Sequence, residues 1–451
     1  MSFDSVMGKT IYPVKSIAVG CDFISGYAFK GKDFTDADGH PIIKIKNIQD
    51  GKVTIKESQF IPKHLTGKKL EKFKLENGDI LIAMTGQGSV GRVGKLYIST
   101  TETPYLNQRV GKFLVDEENL NKEYLYYVLS CKAYENYLFA AGSGSGQPNL
   151  SPALIKAVEI PYPPYKSQCY IGKILSDLDD KIHLNNQINQ TLESIAQAIF
   201  KSWFIDFDPV RAKIAAKQND EDPELAAMCA ISGKSEEELQ QMSEDDFAEL
   251  QATAALFPDE FVENELGEVP KGWSVSKVDD ILKRIKIKKR FKKNDVNEFG
   301  KTFVLEQGSN IILGFHDNEG SISASKEEPA FIFGDHTCIT RLMLSNFDVS
   351  ENVIAVTGKE RNSYWTYYAI KDLQKFQEYR RHWMELTSKL VVVADVRLTD
   401  YFAKKVKILH EDIEYSLREN LVLMNLRNTL LPKLLSGELD VSALQDEEIQ
   451  G

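Results

Sequence analysis

Apolar positions change period several times along this 451-residue chain, and each change marks an element. Up to about Pro164 they alternate or cluster in short runs: GHPIIKIKNI (Gly39–Ile48), GDILIAM (Gly78–Met84) and RVGKLYI (Arg92–Ile98). Gly, Asn and Asp separate these runs, which is the pattern of strands and turns. One helix is predicted among them, KEYLYYVLSCKAYENYLF (Lys122–Phe139), stopped by the breaker AAGSGSGQPN. From Lys166 to about Phe204 the period becomes helical, with Ile171, Leu175, Leu178, Ile182, Ile188, Leu192, Ile195, Ile199 and Trp203 mostly three, four or seven apart. Such a stripe is too long for one small core and predicts pairing with a second long helix. Asn185, Asn186 and Asn189 interrupt it. The plainer reading is that they face solvent; the sharper one is a polar layer that sets register.

The second half has a similar plan. After an acidic stretch (218–270), read as a linker with local helix, FVLEQG, NIILGF, PAFIFGDHT and ENVIAVTG predict the strands of a domain starting near Trp273. A helix is predicted over Asp372–Thr387, and a closing helix from about Glu411 to Leu435, with Leu417, Met424, Leu431 and Leu434 on its apolar side. IAQAIFKSWF (Ile195–Phe204) and LRNTLLPKLL (Leu426–Leu435) end the two long helices alike, although the globular stretches before them look little alike. Aligning Ile199-Phe200 with Leu430-Leu431 gives an offset of 231, whereas Val158-Glu159-Ile160 set on Val406-Lys407-Ile408 gives 248. The second helix is therefore expected to be about 17 residues shorter. A repeat of this length is a domain duplication, not a solenoid. The expected fold class is α+β: two mixed, strand-rich domains (1–165 and 271–408) and two long scaffold helices (166–217 and 409–440), with a tail over 441–451.

With 42% hydrophobic residues the chain can bury two ordinary cores. No apolar run approaches the roughly 20 residues needed to span a bilayer, and MSFDSVMGKTIYPVK lacks a secretory signal pattern. Cys21, Cys131, Cys169, Cys229 and Cys338 are scattered and form no CxxC, which fits a reducing cytosol. The net charge of −11 is concentrated: 218–270 holds sixteen carboxylates against the single Lys234, a local −15, which leaves the remainder at about +4. Within that remainder lies KRIKIKKRFKK (Lys283–Lys293), eight of whose eleven residues are Lys or Arg.

The motifs that resemble active sites are weak. Gly86-Gln87-Gly88-Ser89-Val90-Gly91 satisfies GxGxxG, but a strand-like run follows where a dinucleotide loop must open a helix, so a hairpin loop is expected. His316, His336 and Cys338 fit no compact ligand spacing. No Asp/Asn-Pro-Pro-Tyr/Phe adenine-methyltransferase loop occurs. Groups suited to DNA are more evident, because phosphates need Lys and Arg while base edges need Asn, Gln, Arg, Ser and Thr. TGQGSVGR (Thr85–Arg92) and SGSGQPNLS (Ser143–Ser151) offer Gln87, Ser89, Arg92, Gln147 and Asn149, with an ordinary polar turn as the alternative for each. In the second half the candidates are Lys286, Lys288, Lys289 and Arg290 of the basic run, then His316, His336 and Thr337. Tyr379, Arg380, Arg381 and His382 form an aromatic-basic cluster that a solvated face would equally explain.

Several ordered stretches together resemble a known family. They are GDILIAMTGQGSVGRVGK, SGQPNLSPALIKAVEIPYPP, LESIAQAIFKSWFIDFDPV, LGEVPKGW, EQGSNIILGFHDN, PAFIFGDHT and LRNTLLPKLLSGELDV. The chain is similar over essentially its full length to the specificity subunits of type I restriction–modification enzymes. The resemblance implies two target-recognition domains, each reading half of a split, asymmetric sequence in double-stranded DNA. It also implies that the scaffold helices pack as an antiparallel coiled coil whose length sets the unread gap. Leu178, Ile182, Leu192, Ile195, Ile199, Trp203, Leu417, Met424, Leu431 and Leu434 would form its seam or subunit interface. Two modification subunits and restriction subunits would dock, carrying S-adenosylmethionine, ATP and Mg. This chain would bind no cofactor, perform no chemistry, and work in the cytoplasm of a prokaryote away from any membrane. The rival readings are a coiled-coil protein adaptor and a DNA-modifying enzyme. The basic run opposes the first, and the absence of cofactor and nuclease motifs opposes the second.

Overall fold

The computed structural model describes residues 8–36, 39–56, 58–65, 67–98, 103–143, 148–308, 311–378 and 380–441. The chain divides into two compact units, Met1–Ile182 with Leu423–Gly451, and His183–Val422. The first holds strands β1 (Val14–Ser16), β2 (Cys21–Ser25), β3 (His40–Ile43), β4 (Ile48–Gln49), β5 (Lys52–Val53), β6 (Gln59–Ile61), β7 (Ile80–Ala83), β8 (Val93–Leu96), β9 (Tyr105–Leu106) and β10 (Val110–Val115). Helices α1 (Lys122–Ser130), α2 (Lys132–Gly142) and α3 (Pro152–Lys156) follow, then β11 (Glu159–Pro161) and the long α4 (Tyr165–Phe204). The helix expected over Lys122–Phe139 is thus two helices, broken at Cys131, whose backbone is extended. The strands form a sheet ordered β2-β10-β7-β8-β5-β4, a small sheet β6-β3-β9 and the pair β1-β11. Strand β7 is buried on both faces, which explains its unbroken apolar run. Ile80 and Ile82 join the core with Tyr124, Val128 and Leu138, while Leu81 and Ala83 join the core with Ile42, Ile61 and Leu106.

The second unit begins within α4 and continues with α5 (Asp208–Gln218), α6 (Pro223–Ser232), α7 (Glu236–Leu239), α8 (Glu244–Ala254) and the hairpin β12 (Phe261–Asn264) and β13 (Gly267–Pro270). The acidic stretch is therefore a folded helical piece, unlike the linker expected from its charge. Ala227, Met228, Leu239, Leu250 and Ala254 form its core. Ser235 and Ser243 cap α7 and α8, and six of the carboxylates occupy the first turns of those helices. Negative charge is favourable at helix N-termini, so part of the acidity serves the fold.

Next come β14 (Ser274–Lys277), α9 (Val278–Ile281), β15 (Leu282–Arg284), β16 (Thr302–Leu305), β17 (Ile312–His316), β18 (Ala330–Gly334), β19 (Thr340–Met343), β20 (Phe347–Val349) and β21 (Val353–Gly358). Helices α10 (Ser363–Ile370) and α11 (Trp383–Ser388), β22 (Leu390–Val393) and the long α12 (Val396–Ser436) complete the chain. The helix expected over Asp372–Thr387 is replaced by a loop and the short α11, because Asp372 takes a left-handed conformation just past α10.

The two units share one topology despite their dissimilar sequences. The sheet β15-β21-β18-β19 repeats β2-β10-β7-β8, β17-β16-β20 repeats β6-β3-β9, and β14-β22 repeats β1-β11. The parallel pairing of β3 with β9 recurs between β16 and β20. Burial repeats as well: Phe331 and Phe333 face one core, Ala330 and Ile332 the other.

The long helices correct the expected lengths. They have 40 and 41 residues, and β11 leads into α4 as β22 leads into α12, at the offset of 231. Alignment on Val406 failed because Val406 lies inside α12, fully buried at a seam position. The true start is capped by Asp395, whose carboxylate accepts the Arg397 N–H at 2.9 Å.

Each unit holds a stretch of both helices, running antiparallel. In the first, Arg427 Nη1 lies 2.6 Å from Asp179 Oδ1. In the second, Asn185 Nδ2 donates to Asn420 Oδ1 at 2.9 Å and to Glu419 Oε2 at 2.6 Å, and Asn420 Nδ2 donates to Asn186 Oδ1 at 3.1 Å. Asn185 is 1% exposed. The polar-layer reading therefore holds, and the solvent reading of Asn185 does not. Paired amides inside an apolar seam favour one register, because any slip would bury them unpaired.

The seam follows Ile171, Leu175, Leu178, Ile182 and Asn185 and resumes at Ala196, Phe200 and Trp203, a heptad path. This bypasses two expected residues: Ile188 and Ile195 are exposed. Leu192, Ile199, Leu417, Met424 and Leu431 are half-buried. Trp203 belongs to the core of the second unit and Leu434 to the core of the first.

Candidate nucleic-acid interface

In the first unit the GxGxxG segment is the turn of the β7–β8 hairpin, as its flanking strands require. Gly86, Gly88 and Gly91 have φ of 112°, 78° and 87°, in the left-handed region that favours glycine. A Cβ on Gly91 would lie 2.9 Å from Leu138 Cβ, so this glycine also admits close packing on α2. The turn leaves Gln87 exposed and Ser89 half-buried. Arg92 lies 3.7 Å from Glu135, so its charge is partly engaged. The second glycine-rich loop is brought beside the first: Asn149 pairs with Thr85, and the Leu150 N–H donates to the Met84 carbonyl at 2.8 Å. Gln87 and exposed Asn149 thus share one edge of the unit, although the chain separates them widely. Gln147 lies outside the described residues.

In the second unit the basic run alternates. Ile285 and Ile287 pack toward the core while Lys286 and Lys288 project into solvent. Lys289 and Arg290 have structural partners. Lys289 Nζ sits 4.3 Å from the Phe291 ring centroid, and Arg290 Nη1 donates to the carbonyls of Ser350 (2.7 Å) and Val353 (2.9 Å). Burial pulls the Arg290 guanidinium below its ordinary pKa, with nearby Arg284 adding to the effect. We expect Lys286→Ala with Lys288→Ala to flatten the slope of log affinity against log salt by about 2 if both hold phosphates. Arg290→Ala should instead lower thermal stability by about 1 kcal/mol, screened by solvent. Fluorescence-anisotropy titration over a salt series, with melting curves, separates the two effects.

His316 is not presented to a ligand. It is buried, stacks on Phe291 at 4.8 Å and 11°, and places Nε2 3.0 Å from Asp348 Oδ2. Ser321 completes that carboxylate's bonding. His336 and Thr337 occupy the turn between β18 and β19, the counterpart of the Gln87 turn. The His336 N–H donates to Gln307 Oε1 at 2.9 Å, and the Thr337 hydroxyl is buried. This turn and Arg290 both bond the 350–353 segment, since the Asp335 N–H donates to the Asn352 carbonyl. His382, grouped by sequence with the exposed Arg381, is buried and N-terminal to α11, and Tyr379 lies outside the described residues. Among the described residues, no group of three or more His, Cys, Asp and Glu could hold a metal ion. No helix there is long and apolar enough to cross a membrane.

Sequence reasoning missed how each unit is tied to its own stretch of scaffold. The Tyr127 hydroxyl donates to Asp179 at 2.8 Å, and the Tyr368 hydroxyl lies 2.8 Å from His410 Nε2 in a hydrogen bond. Asp179 and His410 are related by the same offset of 231. The signal was the tyrosine pair shared by YLYYVL (Tyr124–Leu129) and YWTYYAI (Tyr364–Ile370).

A family model of the type I restriction modification DNA specificity domain matches residues 17–194. The type I restriction enzyme HindI specificity subunit of Haemophilus influenzae is 32% identical over 407 residues, covering 81% of this chain and 87% of that one. The MjaIX specificity subunit of Methanocaldococcus jannaschii is 26% identical, covering 80% and 78%. In fold, the chain is similar to the crystal structure of a type I restriction-modification S subunit from M. genitalium, with a TM-score of 0.50 at 16% identity over 94% of this chain and 96% of that one. This chain belongs to the family of type I restriction–modification specificity subunits.

Proposed function

We propose that the chain is the non-catalytic DNA reader of a type I restriction–modification complex that defends against phage. Each unit reads one half of a bipartite, asymmetric target in double-stranded DNA, and the scaffold helices act as the spacer that sets the unread gap. Two modification subunits dock on this scaffold and methylate adenine using S-adenosylmethionine, and restriction subunits bring ATP- and Mg-dependent cleavage. The observation that carries the reading is one topology built twice with different chemistry on equivalent turns. Gln87 and Ser89 sit on the first, and His336 and Thr337 on the second. Two copies of one frame with unlike residues on these turns suit two unlike half-sites. Each base pair supplies about 1–3 kcal/mol, so two short half-sites reach useful discrimination when read together.

Genome-wide adenine-methylation mapping tests this, comparing cells that hold the modification subunit with and without this chain. A split motif with a fixed gap, present only with the chain, is the expected result. An active modification subunit whose pattern ignores the chain would overturn it.

A further inference from the structure

The turns after β7 and β18 are topological counterparts, and so are the segments that return beside them. In the first unit the chain leaving α2 comes back to Met84, the first residue past β7, through the Leu150 N–H at 2.8 Å. In the second the chain leaving α10 comes back to Asp335, the first residue past β18, through the His382 N–H, also at 2.8 Å. The Asp335 carboxylate also accepts the N–H groups of His382 (3.1 Å) and Trp383 (2.9 Å). Residues 371–378 and 380–384 are therefore the counterpart of residues 143 and 148–151 in the first unit, though their sequences share nothing visible.

This segment displays Phe376, 54% exposed, and Met384, 76% exposed. Single exposed apolar side chains are ordinary, but these two flank His382, the point at which the chain bonds the turn after β18. Phe376 is positioned by an edge contact with the buried His382 ring, at 6.1 Å. Lys375 is exposed nearby, as is Arg381, whose nearest acid is Asp335 at 3.9 Å. Arg380 is already engaged by Glu378 and by Glu385 at 2.6 Å. Large apolar groups flanked by cations match a DNA groove, where thymine methyls and base steps take apolar contact and phosphates take charge.

We propose that residues 375–378 and 380–384, ahead of α11 and in its first turn, contact bases for the second unit: Phe376 and Met384 touch bases while Lys375 and Arg381 hold flanking phosphates. The proposal rests on the DNA-reading function above. Its test uses the full chain assembled with its modification subunit. Binding is measured to the duplex carrying the mapped target and to duplexes altered in one half-site at a time. Phe376→Ala with Met384→Ala should reduce discrimination about tenfold against alterations in one half-site, leaving the other half-site and the salt slope as in wild type. Lys375→Ala with Arg381→Ala should do the reverse, flattening the salt slope by about 2 with discrimination kept. Met384→Gln, similar in length and at a solvent-facing position, should give the half-site-specific loss by itself, even if the double variant folds poorly. Unchanged discrimination in Met384→Gln and the double variant, or equal loss at both half-sites, overturns this assignment and leaves the DNA-reading function intact. A wild-type complex with no sequence preference overturns both.

Discussion

Replacing Trp203 with alanine is expected to destabilise the second unit by about 3–5 kcal/mol, the usual cost of deleting a fully buried aromatic. Trp203 is 2% exposed and meets Phe257 edge-on at 5.5 Å, Phe402 at 6.2 Å and Tyr401 at 6.3 Å. These neighbours come from the segment after α8 and from α12, so the cavity would open where several elements meet and could collapse little. The melting transition of this unit should fall by about 10 °C. Ile195→Ala is the control: that side chain is 44% exposed, and its loss should cost less than about 0.5 kcal/mol. The sequence pattern placed both residues on one seam; differential scanning calorimetry separates them. A Trp203→Ala chain that melts like wild type but no longer joins its modification subunit would show that the residue serves a partner instead of the core.

Acidification from pH 7 to 5 is expected to remove about 2 kcal/mol through His410 alone. Burial pushes this imidazole down to about 4, with Glu193 pulling the other way and Arg341 and Lys371 adding to the fall. The neutral ring shares a hydrogen bond with the Tyr368 hydroxyl at 2.8 Å. Because the folded pKa lies below the unfolded value, the unfolded chain binds more protons between about pH 6.5 and 4. The stabilisation is thus complete above the upper limit and is lost as pH falls toward the lower one. Glu193 acts later and in the same sense. Burial alone would raise its carboxyl, but Lys371 and His410 outweigh that and hold it low, so its contribution disappears only as the carboxylate protonates. Urea denaturation at pH 7 and 5 provides the measurement. His410→Gln keeps a hydrogen-bonding group for Tyr368 without a titrating ring and should lose about 2 kcal/mol less than wild type over that interval. An identical pH response would remove His410 from the account.

The helix pair shows how far pattern reading reaches. Period alone revealed α4, because its apolar positions repeat over 40 residues, and the endings IAQAIFKSWF and LRNTLLPKLL were recognisable as repeats. The start of α12 was not. Its signal was a single capping Asp395 after three valines that belong to β22, and a chance match at Val406 drew the alignment inward.

The sequence by itself determined what depends on neighbours along the chain: the strand runs around β7 and β18, the hairpin nature of the GxGxxG segment, the duplicated helix ends and the family. Tertiary structure alone decided what depends on residues far apart. It buried Asn185 against Asn420, placed Trp203 in a core, and took His316 out of the interface by stacking it on Phe291. It also showed that two dissimilar sequences build one topology. The physical reason is that periodicity tells which side of an element is apolar, whereas the group waiting on that side is supplied by another element. An asparagine in a stripe reads as exposed until a second asparagine, 235 residues away, turns out to face it.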